Sequence, residues 1–405
     1  MTEIFLWILS FISLFISLFW LQVMYIKKKD HYNDNYYLGV TILIPALNEE
    51  KNISKTIKSV LNLDYPKNKL KIIVINDDSK DKTKEIASKF KEVLVINNEH
   101  KGIGKASALN KGLRLVRTEL FAVLDADSEV MQDSLIKLVK LFRDKDTAAA
   151  ISQIKIKNTN NTLTHIQRLE YILATFIRKL MTKIDTLHIT PGVLSVYRTK
   201  IIKKLNNFDE NNITEDLEIA MRLRYNNYKV RMNDEAVTYT NAPNTFKGLW
   251  HQRIRWFRGF IQNNLRYKKM FLSKKHGIMG RIQFPLNAIT FFTILLTFFL
   301  MIYEFIKNSY QFIIRIVLLR TDIFYTFKIP PLREFLLSID IKYIFPLFIA
   351  SLLGLFLLYL AHKNSNEKWL FNPALLIYFS IYPLLRLTHW IVAIYKETLK
   401  TKRKW

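Results

Sequence analysis

The sequence contains no cysteine among its 405 residues. Disulfide bonds and thiolate metal sites are therefore excluded, and the redox state of the compartment stays open. Acidic residues are also scarce, because 34 Asp and Glu accompany 61 Lys and Arg and leave a formal net charge of +27. Nucleic acid would suit such a charge, but half of the residues are hydrophobic and many occur in long runs. A basic membrane protein that faces anionic lipid and an anionic substrate explains both observations.

The N-terminal apolar run lacks the marks of a cleaved signal peptide. Residues 4–26 carry no charge, no basic region precedes them, and no small-residue cleavage site ends them. The run is long enough to cross a bilayer, and three lysines follow it at residues 27–29. Basic residues are retained in the cytosol, so we predict a transmembrane helix over residues 1–27 and a cytosolic segment after it.

Residues 40–153 alternate short apolar strands with helical stretches. The pattern predicts strands over residues 40–44, 70–75, 93–96, 120–124 and 148–152, and helices over residues 53–61, 82–90, 105–116 and 134–142. This alternation is typical of parallel strands joined by crossover helices. Ligands of such sheets bind beyond the carboxyl ends of the strands.

Polar clusters follow two of these strands. Asp125 and Asp127 come directly after one, and residues 76–79, Asn-Asp-Asp-Ser, come after another. Paired carboxylates suit a hard divalent cation such as Mg²⁺ or Mn²⁺, which takes oxygen ligands and keeps positions open for substrate phosphates. An acidic turn is the alternative for Asp125 and Asp127, since Asp is common in turns.

Residues 101–105, Lys-Gly-Ile-Gly-Lys, match neither a Gly-x-Gly-x-x-Gly fingerprint nor a P-loop. The glycines let the backbone approach a ligand, and Lys105 adds positive charge at a helix N-terminus, so the segment suits phosphate. A solvated loop explains it equally well.

Two further helices are predicted downstream. Residues 165–184 place apolar side chains on one face, which indicates a core-facing or an interfacial helix. Thr214 is suited to cap a helix whose first turn contains Glu215 and Asp216. Capping alone explains these residues, although a carboxylate near a metal-bound phosphate can also act as general base for an alcohol nucleophile.

Residues 250–260 interleave three arginines with four aromatic residues. Aromatic faces stack on sugars or bases, and guanidinium groups pair with phosphate oxygens. Anchoring of an amphipathic helix at the membrane interface is the alternative. It is supported by the basic residues that follow, Arg266, Lys268, Lys269, Lys274, Lys275 and Arg281.

The remaining chain is predicted to be largely membrane-embedded. Spans are predicted over residues 284–306, 343–361 and 369–395, and residues 310–319, which include Arg315, are predicted to be interfacial. Three crossings would leave the basic tail, residues 396–405, outside the cell. A fourth crossing through about residues 310–327 would return it to the cytosol, so three and four crossings both remain open.

Taken together, these segments resemble the processive membrane-integrated glycosyltransferases of family 2, such as poly-N-acetylglucosamine, hyaluronan, chitin and cellulose synthases. The similarity extends from about Val40 to Phe260. It rests on residues 45–50 (Pro-Ala-Leu-Asn-Glu-Glu), 76–81 (Asn-Asp-Asp-Ser-Lys-Asp), 104–110 (Gly-Lys-x-x-Ala-Leu-Asn), 125–127, 214–216 (Thr-Glu-Asp) and 252–256 (Gln-x-x-Arg-Trp). Residues 191–198 also resemble the family's acceptor-side loop. The implied fold class is α/β: a GT-A (Rossmann-like) domain between N-terminal and C-terminal transmembrane helices.

The resemblance implies roles for individual residues. Asp216 would be the catalytic base, next to Glu215 and Thr214, and Asp125 and Asp127 would hold the metal. The implied donor-binding residues are Ala46, Asn48, Glu49, Asp77, Lys105, Asn110, Asp125, Gln252 and Arg255. The implied acceptor-binding residues are Trp256, Gly192 and Ser195.

The implied activity is that of an inverting, processive hexosyltransferase that uses Mn²⁺ or Mg²⁺. It would polymerise sugar from a UDP-sugar, with UDP-N-acetylglucosamine as the best candidate, onto a growing glycan that is exported through the membrane helices. The catalytic domain, residues 28–250, would be cytosolic at the plasma membrane, and residues 251–283 would contact anionic lipid. Nucleic acid is not an expected partner, and accessory subunits remain open.

Two positions depart from the family pattern. Leu47 stands where many relatives have tyrosine, so a base contact is lost and the nucleotide preference is open. Asp78 replaces a usual glycine, so the turn after its strand is expected to differ in backbone shape.

Three other classes of protein compete with this interpretation. A lipid-phosphate sugar transferase would use the same Asp pair for a single transfer, but the Gln-x-x-Arg-Trp segment and the multiple spans favour polymerisation. A transporter with a regulatory nucleotide-binding domain would show no sugar transfer. A nucleic-acid-binding protein is the third alternative, but this sequence contains no recognisable nucleic-acid-binding motif.

Overall fold

The computed structural model describes residues 2–26, 36–98, 104–319, 341–369 and 373–401, together with residues 331 and 333. The predicted basic run at 27–29, residues 101–103 of the lysine-glycine segment and residues 402–405 of the predicted tail lie outside this set. The chain divides into two compact units. One contains the described residues within 1–22 and 286–359, and the other those within 23–285 and 360–405.

The described strands of the larger unit form one mixed sheet. They are β1 Val40–Ala46, β2 Leu70–Asn76, β3 Val93–Asn97, β4 Leu120–Leu124, β5 Glu129–Val130, β6 Thr147–Ile156, β7 Val193–Arg198 and β8 Lys229–Thr240. The strand order is β3-β2-β1-β4-β7-β6-β8-β5. Strands β1 to β4 are parallel, β7 is antiparallel to β4 and β6, β8 is parallel to β6, and β5 is antiparallel to β8.

The parallel half of the sheet confirms the strand predictions for residues 40–124. The predicted loop over residues 191–198 is wrong, because residues 193–198 form β7 between β4 and β6. Its sequence, Val-Leu-Ser-Val-Tyr-Arg, is rich in β-branched and aromatic residues and is almost wholly buried. The antiparallel insertion of β7 places the segment before it next to the carboxyl end of β4.

Helices cover both faces of the sheet. The helices of this unit before the C-terminal segments are α2 Ile53–Leu61, α3 Thr83–Ser88, α4 Lys105–Leu115, α5 Ser134–Lys140, α6 Thr162–Lys183, α7 Thr199–Lys204, α8 Glu215–Tyr225 and α9 Phe246–Arg266. Alternation along β1 sends Ile42 and Ile44 to the core under α2 and Leu43 to the core under α4. Burial of each such side chain stabilises the fold by roughly 1.5–3 kcal/mol. The predicted domain boundary between residues 250 and 251 falls inside α9.

Three described helices are long and apolar enough to cross a membrane. They are α1 Thr2–Met24, α10 Phe284–Leu319 and α11 Ile341–Ser365. A further pair, α12 Pro373–Ser380 and α13 Tyr382–Thr398, meets the same criteria only when its members are taken together, and the pair bends by 47°.

Two membrane predictions need correction. Residues 310–319 are not a separate interfacial segment but continue α10, whose 36 residues extend for about 54 Å. Residues 369–395 do not form one straight span, because the helix breaks at Ile381 and restarts with Pro383 in its first turn. Proline fits there because its missing N–H would have no helical partner. Residues 320–327 of the possible fourth crossing lie outside the described residues.

Candidate active site

Three segments that are distant in sequence meet at one lysine. Lys105, the first residue of α4, contacts the carboxylate of Asp125 at the end of β4. Its Nζ lies 3.5 Å from Oε1 of Glu215, the first residue of α8. Burial disfavours the lysine charge, but the two carboxylates outweigh it and raise the pKa of Lys105 above its ordinary value. The predicted donor, metal and base segments thus share one electrostatic cluster.

Gly192 packs directly against this cluster. A Cβ at this position would lie 2.5 Å and 2.8 Å from the two carboxylate oxygens of Asp125 and would also collide with Lys105 Nζ. The Gly192 carbonyl accepts a hydrogen bond from the Asp125 amide at 2.9 Å. Because Gly192 has no side chain, the backbone before β7 can approach Asp125 and Lys105 closely.

The surroundings of Asp127 disfavour the ionised form of its carboxyl group. Burial, followed by repulsion from Asp125 and Glu49, raises the pKa of Asp127 to about 7. Within the described residues, no group of three or more His, Asp or Glu side chains is arranged to hold a metal. Mg²⁺-type ions, however, are often bound by one or two carboxylates and substrate phosphates. Asp127 fits that requirement better than Asp125, which already contacts Lys105.

The two motifs at residues 45–50 and 76–81, which contain predicted donor-binding residues, are hydrogen-bonded to one another. The Asn48 amide donates to Ser79 Oγ at 3.0 Å, and Asn48 Oδ1 accepts from the Lys80 amide at 2.9 Å. The Glu49 amide donates to Thr83 Oγ1 at 2.7 Å. The loops after β1 and β2 therefore form one continuous rim beside the acid cluster, to which Glu49 also contributes charge.

Asp77 lies at the end of β2 and is almost fully buried. Asn98 Nδ2 donates to its Oδ1 at 2.7 Å, and its amide donates to the Ala46 carbonyl at 2.9 Å. Burial raises the pKa of Asp77. Ala46 itself is 1% exposed: its carbonyl positions Asp77 and its methyl group belongs to the core, and its predicted contact with the donor stays a prediction.

The departure at Asp78 does not change the backbone as expected. Asp78 adopts φ +59°, the left-handed conformation that glycine takes easily. Asp is one of the few other residues that tolerate it. The turn keeps a glycine-like shape, and Leu47 leaves an exposed aliphatic side chain, 52% accessible, on the same rim.

Asp216 has the surroundings of a proton acceptor. Its Oδ1 accepts a hydrogen bond from the Leu217 amide at 2.8 Å, and the side chain is half-buried. Burial and the neighbouring Glu215 raise the pKa of Asp216 to about 6, against the opposing charges of Lys105 and Arg255. A carboxylate with this pKa is mostly ionised at neutral pH and close to the value at which base catalysis is efficient.

Thr214 occupies the N-cap position of α8, but its hydroxyl does not cap the helix. Instead, Asn263 Nδ2 of α9 donates to Thr214 Oγ1 at 3.1 Å. A Cβ on Gly259 would lie 2.7 Å from the Thr214 Cβ. Thr214 is buried and docks the Thr-Glu-Asp segment on α9, while its predicted catalytic role stays a prediction.

The Gln-x-x-Arg-Trp motif lies on α9 beside that segment. Arg255 Nη1 donates to the Ile213 carbonyl at 3.4 Å, and Gln252 Oε1 accepts from Arg253. The Arg253 guanidinium lies over the Trp256 ring at 4.3 Å from its centroid. Arg253 is fully buried and was not singled out from the sequence as a site residue. Its position between the aromatic residues of the segment 250–260 was the sequence signal that could have identified it.

Two predicted residues do not face the site. Both atoms of the Asn110 amide group are engaged: Nδ2 donates to the Phe208 carbonyl at 2.9 Å and to Glu210 Oε1 at 2.8 Å, and Oδ1 accepts from the Phe208 amide at 3.0 Å. Ser195 is fully buried in β7 and donates its hydroxyl to the Pro191 carbonyl. Both side chains are engaged within the protein, and their predicted contacts with donor and acceptor stay predictions.

The parallel half-sheet, the two acidic strand ends and the antiparallel β7 define a GT-A-like mixed α/β fold. Comparison with known families supports this class. Residues 41–205 match the family described as Glycosyl transferase family 2.

Two curated relatives match a longer segment. The chain is 33% identical over 267 residues to the "Probable glycosyltransferase YdaM" of Bacillus subtilis (strain 168), a match that covers 62% of this chain and 63% of that protein. It is 31% identical over 268 residues to the "Poly-beta-1,6-N-acetyl-D-glucosamine synthase" of Staphylococcus aureus (strain COL), covering 62% and 64%. The match thus spans less than two thirds of either relative.

A solved structure matches nearly the whole chain. It is the mannosyltransferase PcManGT from Pyrobaculum calidifontis in complex with GDP-Man and Mn²⁺, with a TM-score of 0.65 and 18% identity over 99% of this chain and 100% of that one. The likeness establishes the shared fold.

Proposed function

We propose that this protein is an inverting, processive glycosyltransferase that adds sugar units from a nucleotide sugar to a growing glycan. The observation that carries the proposal is the position of Asp216. Burial and the neighbouring Glu215 raise its pKa, Lys105 and Arg255 place two positive charges nearby, and its segment docks on the helix that carries Trp256. A base, cations for a leaving diphosphate and an aromatic acceptor platform are the parts that direct displacement needs.

In the proposed step, the acceptor hydroxyl attacks the anomeric carbon of the donor as Asp216 takes the hydroxyl proton. The bond between that carbon and the diphosphate oxygen breaks, and the diphosphate leaves with the electron pair. Lys105 and Arg255 offset the charge that develops on it. Trp256 positions the acceptor by stacking on its terminal sugar.

A divalent cation is part of the proposal. Asp127, with Asp125 beside it, would hold Mn²⁺ or Mg²⁺, and the ion would neutralise charge on the leaving diphosphate. The surroundings of Asp127 support this, because the buried carboxylate is repelled by Asp125 and Glu49. The solved mannosyltransferase of the same fold is described in complex with Mn²⁺.

The donor that we favour is UDP-N-acetylglucosamine. The support is the name of the Staphylococcus aureus relative, a poly-N-acetylglucosamine synthase that is 31% identical over the matched segment. The mannosyltransferase of similar fold binds GDP-Man, so the fold alone accommodates more than one nucleotide. Leu47 and Asp77 lie where the resemblance places base recognition.

We further propose that the catalytic domain, residues 28–250, is cytosolic and that the glycan is exported at the plasma membrane. Residues 251–283 would rest on anionic lipid, and the apolar helices α1, α10 and α11, with the bent pair α12 and α13, would form the membrane region before the basic tail at 396–405. The basic residues at 266–281 support contact with lipid headgroups.

The direct test uses membranes that contain the full-length protein. They are incubated with a panel of radiolabelled UDP- and GDP-sugars, with and without Mn²⁺ or Mg²⁺, and the product is sized. We expect a water-soluble polymer from UDP-N-acetylglucosamine only when the metal is present. A single labelled sugar that partitions into organic solvent would instead identify a lipid-phosphate sugar transferase. Absence of transfer from every donor would contradict the proposal.

A further inference from the structure

Two half-buried aromatic rings from different helices form a corner beside the acid cluster. Tyr171 on α6 and Trp256 on α9 have ring centroids 6.4 Å apart and planes inclined at 57°. A sugar ring that stacks on one plane would meet the edge or hydroxyl of the other. A pair of inclined aromatic faces therefore offers contact to two sides of a pyranose.

A buried ion pair holds these two rings together. Arg253 Nη2 donates to Glu170 Oε2 at 2.6 Å, with the two side chains 1% and 15% exposed. Glu170 directly precedes Tyr171, and Arg253 lies one helical turn before Trp256. Tyr382 on α13 donates its hydroxyl to the same Oε2 of Glu170 at 2.8 Å. Because Glu170 and Arg253 are close in sequence to Tyr171 and Trp256, the ion pair fixes the distance between the two rings.

The two faces of the Trp256 ring have different surroundings. The Arg253 guanidinium lies over the ring at 4.3 Å from its centroid, while Trp256 as a residue remains half-buried. A sugar can therefore stack only on the face opposite to Arg253. The guanidinium is fully removed from solvent, so it has no exposed polar atom to offer to the glycan.

The Tyr171 hydroxyl is influenced by the charge of the acid cluster. Within the described part of the chain it makes no hydrogen bond shown by the structure. Burial raises the pKa of Tyr171, and the charges of Glu170 and Asp127 act in the same direction, against Arg253 and Arg178. The Tyr171 hydroxyl thus lies within electrostatic reach of Asp127.

We infer that Tyr171 is an acceptor-binding residue: it forms the second wall of the site for the terminal sugar of the glycan, opposite the free face of Trp256. Glu170 and Arg253 are positioning residues that hold the two walls at a fixed angle. The inference rests on the proposed transfer to a glycan and adds residues on α6 to the acceptor site.

The test uses the full-length protein in detergent or nanodiscs, with short oligosaccharides of the polymerised sugar as the probe. Binding is measured without donor by quenching of tryptophan fluorescence, and transfer is measured separately as KM for oligosaccharide and for nucleotide sugar. We expect Tyr171→Ala to raise the oligosaccharide Kd and KM about tenfold while the donor KM is unchanged, and Tyr171→Phe, which keeps the ring, to change them less.

Tyr225→Ala is the matched control, because Tyr225 is a half-buried tyrosine on α8 that stacks on His276 rather than on Trp256. Oligosaccharide binding that is the same in Tyr171→Ala and wild type would overturn the inference. An equal rise in donor KM would overturn it too, because it would show a general distortion of the site. Wild-type protein that binds oligosaccharide but transfers no sugar would contradict only the proposed function.

The positioning role has its own comparison on α9. Arg253→Lys keeps a charge for Glu170 but removes the planar group over Trp256, so we expect a higher oligosaccharide KM with nearly unchanged donor KM. Arg258→Lys is the comparison, because Arg258 lies on the same helix as Arg253 and forms a similar ion pair. Its Nε donates to Glu397 Oε2 of α13 at 3.1 Å. If both variants lower the melting temperature and raise the oligosaccharide KM equally, Arg253 has no specific positioning role.

Discussion

Gly259 on α9 lies against Thr214 so closely that a Cβ would come within 2.7 Å of the threonine Cβ. This contact joins the segment that contains Asp216 to the helix that contains Trp256. Asp216 and Trp256, the proposed base and acceptor platform, are therefore positioned by one packing interaction between a glycine and a buried threonine, supported by the bond from Asn263 to Thr214.

Gly259→Ala should separate the two segments. We expect a loss of roughly 1–3 kcal/mol in stability from overpacking and a fall in kcat, because Asp216 is displaced from the acceptor. Thermal unfolding and sugar-transfer kinetics measure the two effects. Adding Thr214→Ser, which removes the colliding methyl group, should restore part of both. If Gly259→Ala is as active and stable as wild type, the packing interaction does not position the base.

Gly192→Ala should abolish most of the transfer activity. The added methyl group would collide with the Asp125 carboxylate and with Lys105 Nζ, so the acid–lysine pair must separate. Gly39→Ala is the control, since its Cβ meets chiefly the flexible carboxylate of Glu119, and we expect it to keep near wild-type rates. Equal activity of the two variants would show that the contact at Gly192 is unimportant.

Asp216→Asn should lower kcat by roughly 10²- to 10⁴-fold, the usual size of a lost general base, with donor affinity retained. The pH profile gives a second measurement. Since the base must be ionised and the pKa of Asp216 is raised to about 6, kcat should rise with pH up to about that value and then level off. A profile without this limb, or a fully active Asp216→Asn, would rule out the assignment.

Asp127→Asn should remove the stimulation of nucleotide binding by Mn²⁺. The substitution takes away the carboxylate that is not engaged with Lys105, so we expect UDP to bind equally with Mn²⁺ and with a chelator present. Calorimetry of UDP binding checks this. Asp133→Asn, which breaks an exposed pair with Lys137 at 2.6 Å, is the control and should keep the metal effect. An intact Mn²⁺ effect in Asp127→Asn would place the cation elsewhere.

Asn110→Ala distinguishes a structural from a donor-binding role. The side chain makes three hydrogen bonds to residues 208 and 210, and leaving buried partners unsatisfied costs roughly 1–3 kcal/mol for each group. We expect a lower melting temperature and an unchanged donor KM in the fraction that remains folded. A donor KM that rises strongly without loss of stability would instead support the predicted donor-binding role of Asn110.

The parallel half of the sheet could be predicted because its signals are local. Each strand from β1 to β4 is a short apolar run, each is followed by turn residues, and each helix between them has its own periodicity. The antiparallel half could not be predicted in the same way. Residues 193–198 are buried because β4 and β6 flank them, and a segment of six residues shows no periodicity that reveals such neighbours.

The site shows the same division. The sequence by itself determined which chemical groups are present: carboxylates after two strands, a lysine at a helix start, and arginines among aromatic residues on one helix. Only the tertiary structure decided their partners. It paired Asn110 with Glu210, buried Ser195 in β7 and Thr214 against Gly259, and paired Arg253 with Glu170 across two helices. The physical reason is that residue type fixes what a group can bind, whereas contacts between distant segments fix which atoms it meets.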